Sequence, residues 1–328
     1  MGKGWKCLPV AVSVMILPAS SVAQQLAPGD HTITLQHLGR ERLYLVHIPP
    51  DTLRPLPVVL SLHGGGGHAR GHAEHVRFEP LADSVGFIVV TPNGTGPWRW
   101  RLLTWNAGTC CGYAQSQEVN DVDFVRALLD DLATRTRVDE SRIYATGFSN
   151  GGMMTYRLAE EAADRIAAFA PVGGVVLNDS IEVDRPVPLL HIHSVDDPRA
   201  LYAGGLGPPF PLTNVQVEHV PVEDVLAQWA AHNGCSGAPR TMEVRRGEPG
   251  TLSARHRATR LVYSPCAGDG EITFWKLGGA GHVWPGAAQS LPVRLVGEPT
   301  HVIDANRVIW EFFQRHSLPS AERGARPR

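Results

Sequence analysis

The sequence predicts an α/β fold, a doubly wound and mostly parallel sheet with helices on both faces. Three observations carry that prediction. Residues 58–62, 87–90 and 188–193 are short, almost wholly apolar runs, the pattern of strands buried on both faces. Segments of helical periodicity separate them, and strands alternating with helices imply parallel pairing. Lastly, the β-prone run Ile143-Tyr144-Ala145-Thr146 enters Gly147-Phe148-Ser149-Asn150-Gly151 and leaves as the helix-prone segment 153–159. A serine in a G-x-S-x-G turn between a strand and a helix is held on a sharply bent backbone, where neighbours two residues away have no room for a Cβ.

The elements follow in order. Residues 31–38 and 42–48 alternate polar and apolar side chains around Gly39-Arg40, an antiparallel hairpin at a sheet edge. The buried strand at 58–62 runs straight into His63-Gly64-Gly65-Gly66-Gly67, and the strand at 87–90 breaks at Thr91-Pro92-Asn93-Gly94. An ordered loop with Trp98, Trp100, Trp105 and the pair Cys110-Cys111 comes next. Val122, Val125, Leu128, Leu129 and Leu132 form a helical stripe within 118–136, with Asn120 or Asp121 as its cap. After the serine turn and its helix, 167–176 and 188–193 cross the sheet again. The Gly- and Pro-rich stretch 203–220 is expected to be a long irregular loop, 222–232 a helix, 259–263 and 271–277 strands, and 304–316 the closing helix.

Composition bounds the function. A chain of 328 residues with 43% hydrophobic content supports one large catalytic domain. With 30 basic against 32 acidic residues and no long charge run, nothing suggests a partner in nucleic acid or an anionic membrane. Residues 1–23 read as a signal peptide: Lys3 and Lys6 supply positive charge, 8–17 an apolar core too short to span a bilayer, and Ser21-Val22-Ala23 a cleavage site. The expected organisation is therefore signal peptide 1–23, catalytic domain 24–318 and a disordered Arg-rich tail 319–328 in an exported, extracellular or periplasmic protein. Four cysteines remain after cleavage, and each of Cys235 and Cys266 flanks a separate element, which favours a disulfide between them. Cys110 and Cys111 are then a vicinal pair or two free thiols, and the cysteine spacing does not fit zinc.

Several residues carry chemistry. Ser149 is a candidate nucleophile. The glycine run after a buried strand leaves backbone N–H groups free to hold an oxyanion, with Gly65 and Asn150 the donors by position. His63 precedes the serine and reads as a loop brace. Asp196 and Asp197 stand just past a buried strand, where the acid of a triad belongs, and His282 lies in the glycine-rich loop after the last strand. His191 and His193 share a strand face as metal ligands do, but no third ligand stands at useful spacing. Trp98, Trp105 and Trp284, with Trp100, form either a stacking surface for a sugar or aromatic ring or part of the core.

Taken together, His63-Gly64-Gly65-Gly66-Gly67, Trp105-Asn106-Ala107-Gly108 with Cys110-Cys111-Gly112, Gly147-Phe148-Ser149-Asn150-Gly151-Gly152 and Gly281-His282-Val283-Trp284-Pro285-Gly286 resemble the secreted polyhydroxybutyrate-depolymerase-like esterases, grouped with feruloyl and acetylxylan esterases. The resemblance runs from about Gly39 to Phe313. It implies an α/β-hydrolase fold, a Ser-Asp-His triad acting without metal or organic cofactor, and an ester substrate: a polyester oligomer, a plant polysaccharide ester or a small ester. Register against the family's His-Gly-Thr-x-Asp-x-x-x-Pro-Tyr pattern, from His193 to Tyr202, selects Asp197 as the acid, although Ser194, Val195 and Leu201 depart from it. A serine peptidase on the same fold and a catalytically inactive binding protein are the alternatives from other classes.

Overall fold

The structure, a computed structural model, describes residues 25–177, 179–210, 216–289 and 291–319, together with Gly2. Apart from Gly2 and Pro319, the expected signal peptide and tail lie outside the described residues. The chain opens with the hairpin β1 (Gly29–His37) and β2 (Arg40–Ile48), then β3 (Leu56–Leu62), α1 (Ala69–Val76), α2 (Glu79–Val85) and β4 (Ile88–Pro92). There follow α3 (Gly112–Ser116), α4 (Asp121–Arg135), β5 (Val138–Phe148), α5 (Asn150–Glu161), β6 (Ala168–Val172) and β7 (Leu189–Ser194). The last third holds β8 (Ala203–Leu206), β9 (Glu218–Pro221), α6 (Val222–His232), β10 (Arg240–Arg246), β11 (Arg257–Tyr263), β12 (Ile272–Gly278), α7 (Val293–Val296) and α8 (Ala305–Phe313).

Ten strands make one sheet in the order β1-β2-β4-β3-β5-β6-β7-β12-β11-β10. The six strands from β4 to β12 in that order run parallel, and an antiparallel pair extends each edge. Sequence explains the division. Every residue of β3, β4, β6 and β7 is buried, so these strands need cover on both faces. Along β5 the cover alternates: Ile143 and Ala145 join Leu128, Leu132, Leu158 and Trp229 of α4, α5 and α6 on one face, whereas Tyr144 joins Val76, Ala82, Ile309 and Phe313 of α1, α2 and α8 on the other. Asn120 caps α4 by accepting from the Asp123 N–H at 3.1 Å, and Asp304 caps α8 in the same way from Arg307.

One expectation is corrected. Residues 203–220 are not wholly irregular, because β8 and β9 pair antiparallel at its ends; backbone hydrogen bonds make that pair, so its Gly- and Pro-rich side chains gave no period-2 signal. Sequence patterning also passed over β10, which has no apolar face because almost all its residues are exposed or half-exposed, and α1, whose two histidines and glycine dilute its helical pattern. The expected Cys235–Cys266 disulfide is present and ties the end of α6 to the loop after β11, and Cys110 and Cys111 are themselves bonded as a vicinal pair. Among the described residues no helix is long and apolar enough to cross a membrane.

Candidate active site

Because the central strands are parallel, the loops leaving β3, β5, β7 and β12 all emerge at one edge of the sheet, and each carries one of the candidate groups. Ser149 is the sharp point of the turn between β5 and α5. Its φ of 56° and ψ of −119° lie outside the regions that L-residues normally occupy, a strain that only a well-packed surround sustains. The flanking glycines provide that packing. A Cβ on Gly147 would stand 2.3 Å from the Gly151 carbonyl oxygen, and one on Gly151 would stand 2.4 Å from that of Leu62. Ser149 itself is half-buried, and its N–H donates to Val172 O at 2.8 Å.

The glycine loop is fastened to this turn through Trp105. Its indole N–H donates to His63 O at 3.0 Å, its backbone N–H donates to Asn150 Oδ1 at 2.7 Å, and its carbonyl accepts from Asn150 Nδ2 at 3.0 Å. His63 is a brace: Nε2 accepts from the Gly94 N–H at 2.9 Å, which leaves Nδ1–H to donate to Gly64 O at 2.8 Å. Burial lowers the His63 pKa to about 4, so the ring is neutral at ordinary pH. Among the described residues the backbone N–H groups of Gly65 and Asn150 donate to no protein acceptor. That of Asn150 belongs to the first turn of α5, where the helix dipole adds positive potential.

Asp197 lies in the turn after β7. One carboxylate oxygen accepts from the N–H groups of Arg199 and Ala200 at 2.7 and 2.8 Å, and the other accepts from His282 Nδ1 at 2.7 Å. Burial pushes the Asp197 pKa up, but the His282 imidazole, His193 and the Arg199 N–H more than offset it and hold the group below the ordinary carboxylate value. Asp196 is exposed and accepts from the Gly279 N–H at 2.7 Å. The His282 ring lies 4.6 Å from that of Phe148, next to the serine, and Gly173 lies under it: a Cβ there would stand 3.4 Å from the imidazole. Among the described residues the Ser149 hydroxyl makes no hydrogen bond to His282; such contacts are often long before substrate enters.

Of the four tryptophans weighed as stacking surfaces, two are not. Trp105 is fully buried by the clamp just described, and Trp284 is 2% exposed, with its indole N–H on Asn306 Oδ1 at 2.9 Å and its ring edge-on to Phe78, His72 and Phe148. Each indole found an acceptor inside the protein, which let the whole ring join the core. Trp98 is 61% exposed. A cleft opens beside His282, with apolar walls of Phe148, Val283, Leu291, Val296 and Pro299 and with His75 and Gln289 as further polar lining. The sequence analysis overlooked the part played by the Asn150 side chain, and it weighed His191 and His193 as metal ligands where they bond to each other, Nε2 to Nδ1, at 3.1 Å. An asparagine directly after the serine was the available clue to the first.

The model of the family described as "Esterase PHB depolymerase" matches residues 42–235. A bifunctional acetylxylan esterase/xylanase of Neocallimastix patriciarum is 30% identical over 75% of this chain and 31% of its own length. Feruloyl esterase B of Piromyces equi is 29% identical over 69% of this chain and 39% of its own. The chain thus spans about a third of the length of these two relatives. The solved acetyl xylan esterase from Aspergillus awamori superposes with a TM-score of 0.54 at 16% identity, covering 87% of this chain and 99% of that one, which shows a shared α/β-hydrolase fold.

Proposed function

The chain belongs to the Esterase PHB depolymerase family, and we propose that it hydrolyses carboxylic esters through an acyl-enzyme on Ser149. His282 takes the serine proton, and the hydroxyl oxygen attacks the ester carbonyl. Asp197 holds the imidazole in the Nδ1–H tautomer and stabilises the imidazolium. The N–H groups of Gly65 and Asn150 hold the tetrahedral oxyanion, a contact whose loss typically costs about 3 to 4 kcal/mol of transition-state stabilisation. His282 returns its proton to the leaving alcohol, and water repeats the attack on the acyl-serine. The observation that carries this reading is the 2.7 Å bond between His282 and the buried Asp197, set at the same sheet edge as the bent serine turn. The peptidase alternative would use the same groups, and the named relatives favour the ester.

Within esters, the mostly apolar cleft beside His282, whose polar lining is His75, Gln289 and His282 itself, favours a phenolic or short aliphatic group over a sugar with its many hydroxyls. Exposed Trp98 favours a ring that can stack, and this keeps acetylated xylan as the second substrate. Export is part of the proposal, on the signal-like residues 1–23 and a disulfide suited to an oxidising compartment.

One experiment tests both levels. The parent and Ser149→Ala are assayed on methyl ferulate, an acetylated xylo-oligosaccharide and a linear hydroxybutyrate oligomer. The parent is expected to have its highest kcat/KM on methyl ferulate. Ser149→Ala is expected to lose more than about 10³-fold on every ester while its melting temperature stays within a few degrees. A variant within about tenfold of the parent would remove Ser149 as nucleophile, and a preference for the linear oligomer would remove the aromatic-ester reading.

A further inference from the structure

Behind the candidate acid runs a chain of buried side chains that the proposed chemistry leaves unused. Tyr156 Oη lies 3.2 Å from His191 Nδ1, His191 Nε2 lies 3.1 Å from His193 Nδ1, and His193 Nε2 lies 2.8 Å from Ala200 O. All three residues are buried, with relative exposures of 1%, 0% and 2%. The direction of the chain follows from its last member. Ala200 O is a carbonyl and can only accept, so His193 carries its proton on Nε2. In a neutral ring Nδ1 is then an acceptor, so His191 donates from Nε2 and itself accepts at Nδ1 from the Tyr156 hydroxyl. Burial lowers the pKa of both histidines, which keeps the rings neutral and the direction single.

The chain ends on the turn that carries Asp197. The residue whose carbonyl accepts from His193 is the one whose N–H donates to Asp197 Oδ1 at 2.8 Å, so a single residue, Ala200, links the two. His193 Nε2 also stands 3.7 Å from Asp197 Oδ2, the oxygen that accepts from His282. The carboxylate is thus faced by His282 from the loop after β12, by His193 from β7 and by the backbone N–H groups of its own turn, with the buried His219 of β9 nearby.

We propose that His193 is a positioning residue for the reaction, holding the Asp197 turn through Ala200 with an N–H whose tautomer is fixed by the Ala200 carbonyl and supported by His191 and Tyr156. The inference rests on the Ser149, His282 and Asp197 reading and assigns no contact with substrate to His193. Were its proton on Nδ1, the Nε2 lone pair would face both Ala200 O and the carboxylate. The turn would move, and with it the direction in which Asp197 holds the imidazole.

The test compares His193→Phe, His193→Gln and Tyr156→Phe with Asp197→Asn and the parent on one aryl ester. The readouts are kcat, KM and the low-field proton resonance of the His282 Nδ1–H. His193→Phe is expected to lower kcat by about 10- to 100-fold, the scale of a misplacement near 1 Å, to move KM by less than about threefold and to weaken the resonance. The amide of His193→Gln can donate to Ala200 O and accept from His191, so it is expected to restore kcat to within about threefold of the parent and to recover the resonance. If His193→Phe does not fold, Tyr156→Phe carries the test. It removes only a hydroxyl, leaves the buried His191 Nδ1 without its donor, loosens the chain behind His193 and is expected to lower kcat by about three- to tenfold. Parent-like kcat and resonance in the folded His193→Phe or in Tyr156→Phe, beside an inactive Asp197→Asn, overturn the inference and leave the triad standing. An active Asp197→Asn removes the triad, and with it the basis for the inference.

Discussion

Asp196 and Asp197 are adjacent and chemically alike, yet one turn gives them different partners. Asp197 points inward, receives two backbone N–H groups and faces His282 Nδ1, while Asp196 points outward to the Gly279 N–H. Only the first can orient an imidazole. Asp197→Asn is therefore expected to lower kcat by about 10⁴-fold, the scale for triad acids, because the amide favours the wrong tautomer. Asp196→Asn keeps a carbonyl acceptor for Gly279 and is expected to cost less than about tenfold. Steady-state kinetics on the two variants check the pair, and the reverse ranking would show that the acid is Asp196. At this scale the sequence was informative about Ser149 and His282, because backbone strain and loop position leave motifs, but position alone left Asp196 and Asp197 open and only register against the family pattern chose between them. It was uninformative about whether an indole lies in solvent or core, because that depends on acceptors such as His63 O and Asn306 Oδ1 that only folding brings near.

Among the elements, the Cys235–Cys266 bridge joins α6 to the segment before β12, whereas His282 follows the C-terminal end of β12. The disulfide thus sits at the opposite end of that strand from the candidate site. It spans a sequence separation of 31 residues, for which loop-closure entropy gives about 3 to 4 kcal/mol of stabilisation. The Cys235→Ala/Cys266→Ala double variant is expected to lose stability on that scale in a urea unfolding curve, with kcat within about twofold of the parent. A large loss of kcat in the folded variant would mean that the bridge holds the site after all. Asn233 gives the same region a second tie: its side chain accepts from the Val187 N–H and donates to the carbonyls of Val187 and Gly270. The strands and helices of this half were legible where they had an apolar stripe. The polar edge strand β10 was not, since an antiparallel partner, rather than burial, holds it in place.

The molecule as a whole buries an unusual set of neutral histidines, His63, His72, His191 and His193, each with its pKa lowered by burial. Unfolding returns them to about 6.5, so between that value and their folded values the unfolded chain binds more protons. Their contribution to stability is intact above about pH 6.5 and is lost as the pH falls below it. His47 runs the other way: burial lowers its pKa, but bonds to Asp30 and Asp83 outweigh this and raise it, and it is one group against four. The melting temperature is expected to drop steeply from pH 7 to pH 5, and His72→Gln is expected to flatten that slope. A melting temperature constant over the range in the parent would mean that these rings are charged or open to water in the folded protein.

The sequence by itself determined the layered α/β architecture, the strand that delivers the serine, and the three catalytic candidates, because burial on two faces, sharp turns and glycine-rich loops all constrain residue type locally. Tertiary structure alone decided the rest. It buried two of the four tryptophans, chose Trp105 and Asn150 as the clamp on the glycine loop, and turned two histidines from possible ligands into a directed hydrogen-bond chain. Those outcomes depend on donors and acceptors far apart in the chain, such as His63 with Trp105 and Tyr156 with His191, whose meeting is set by strand order and register, and periodicity along a single segment does not encode either.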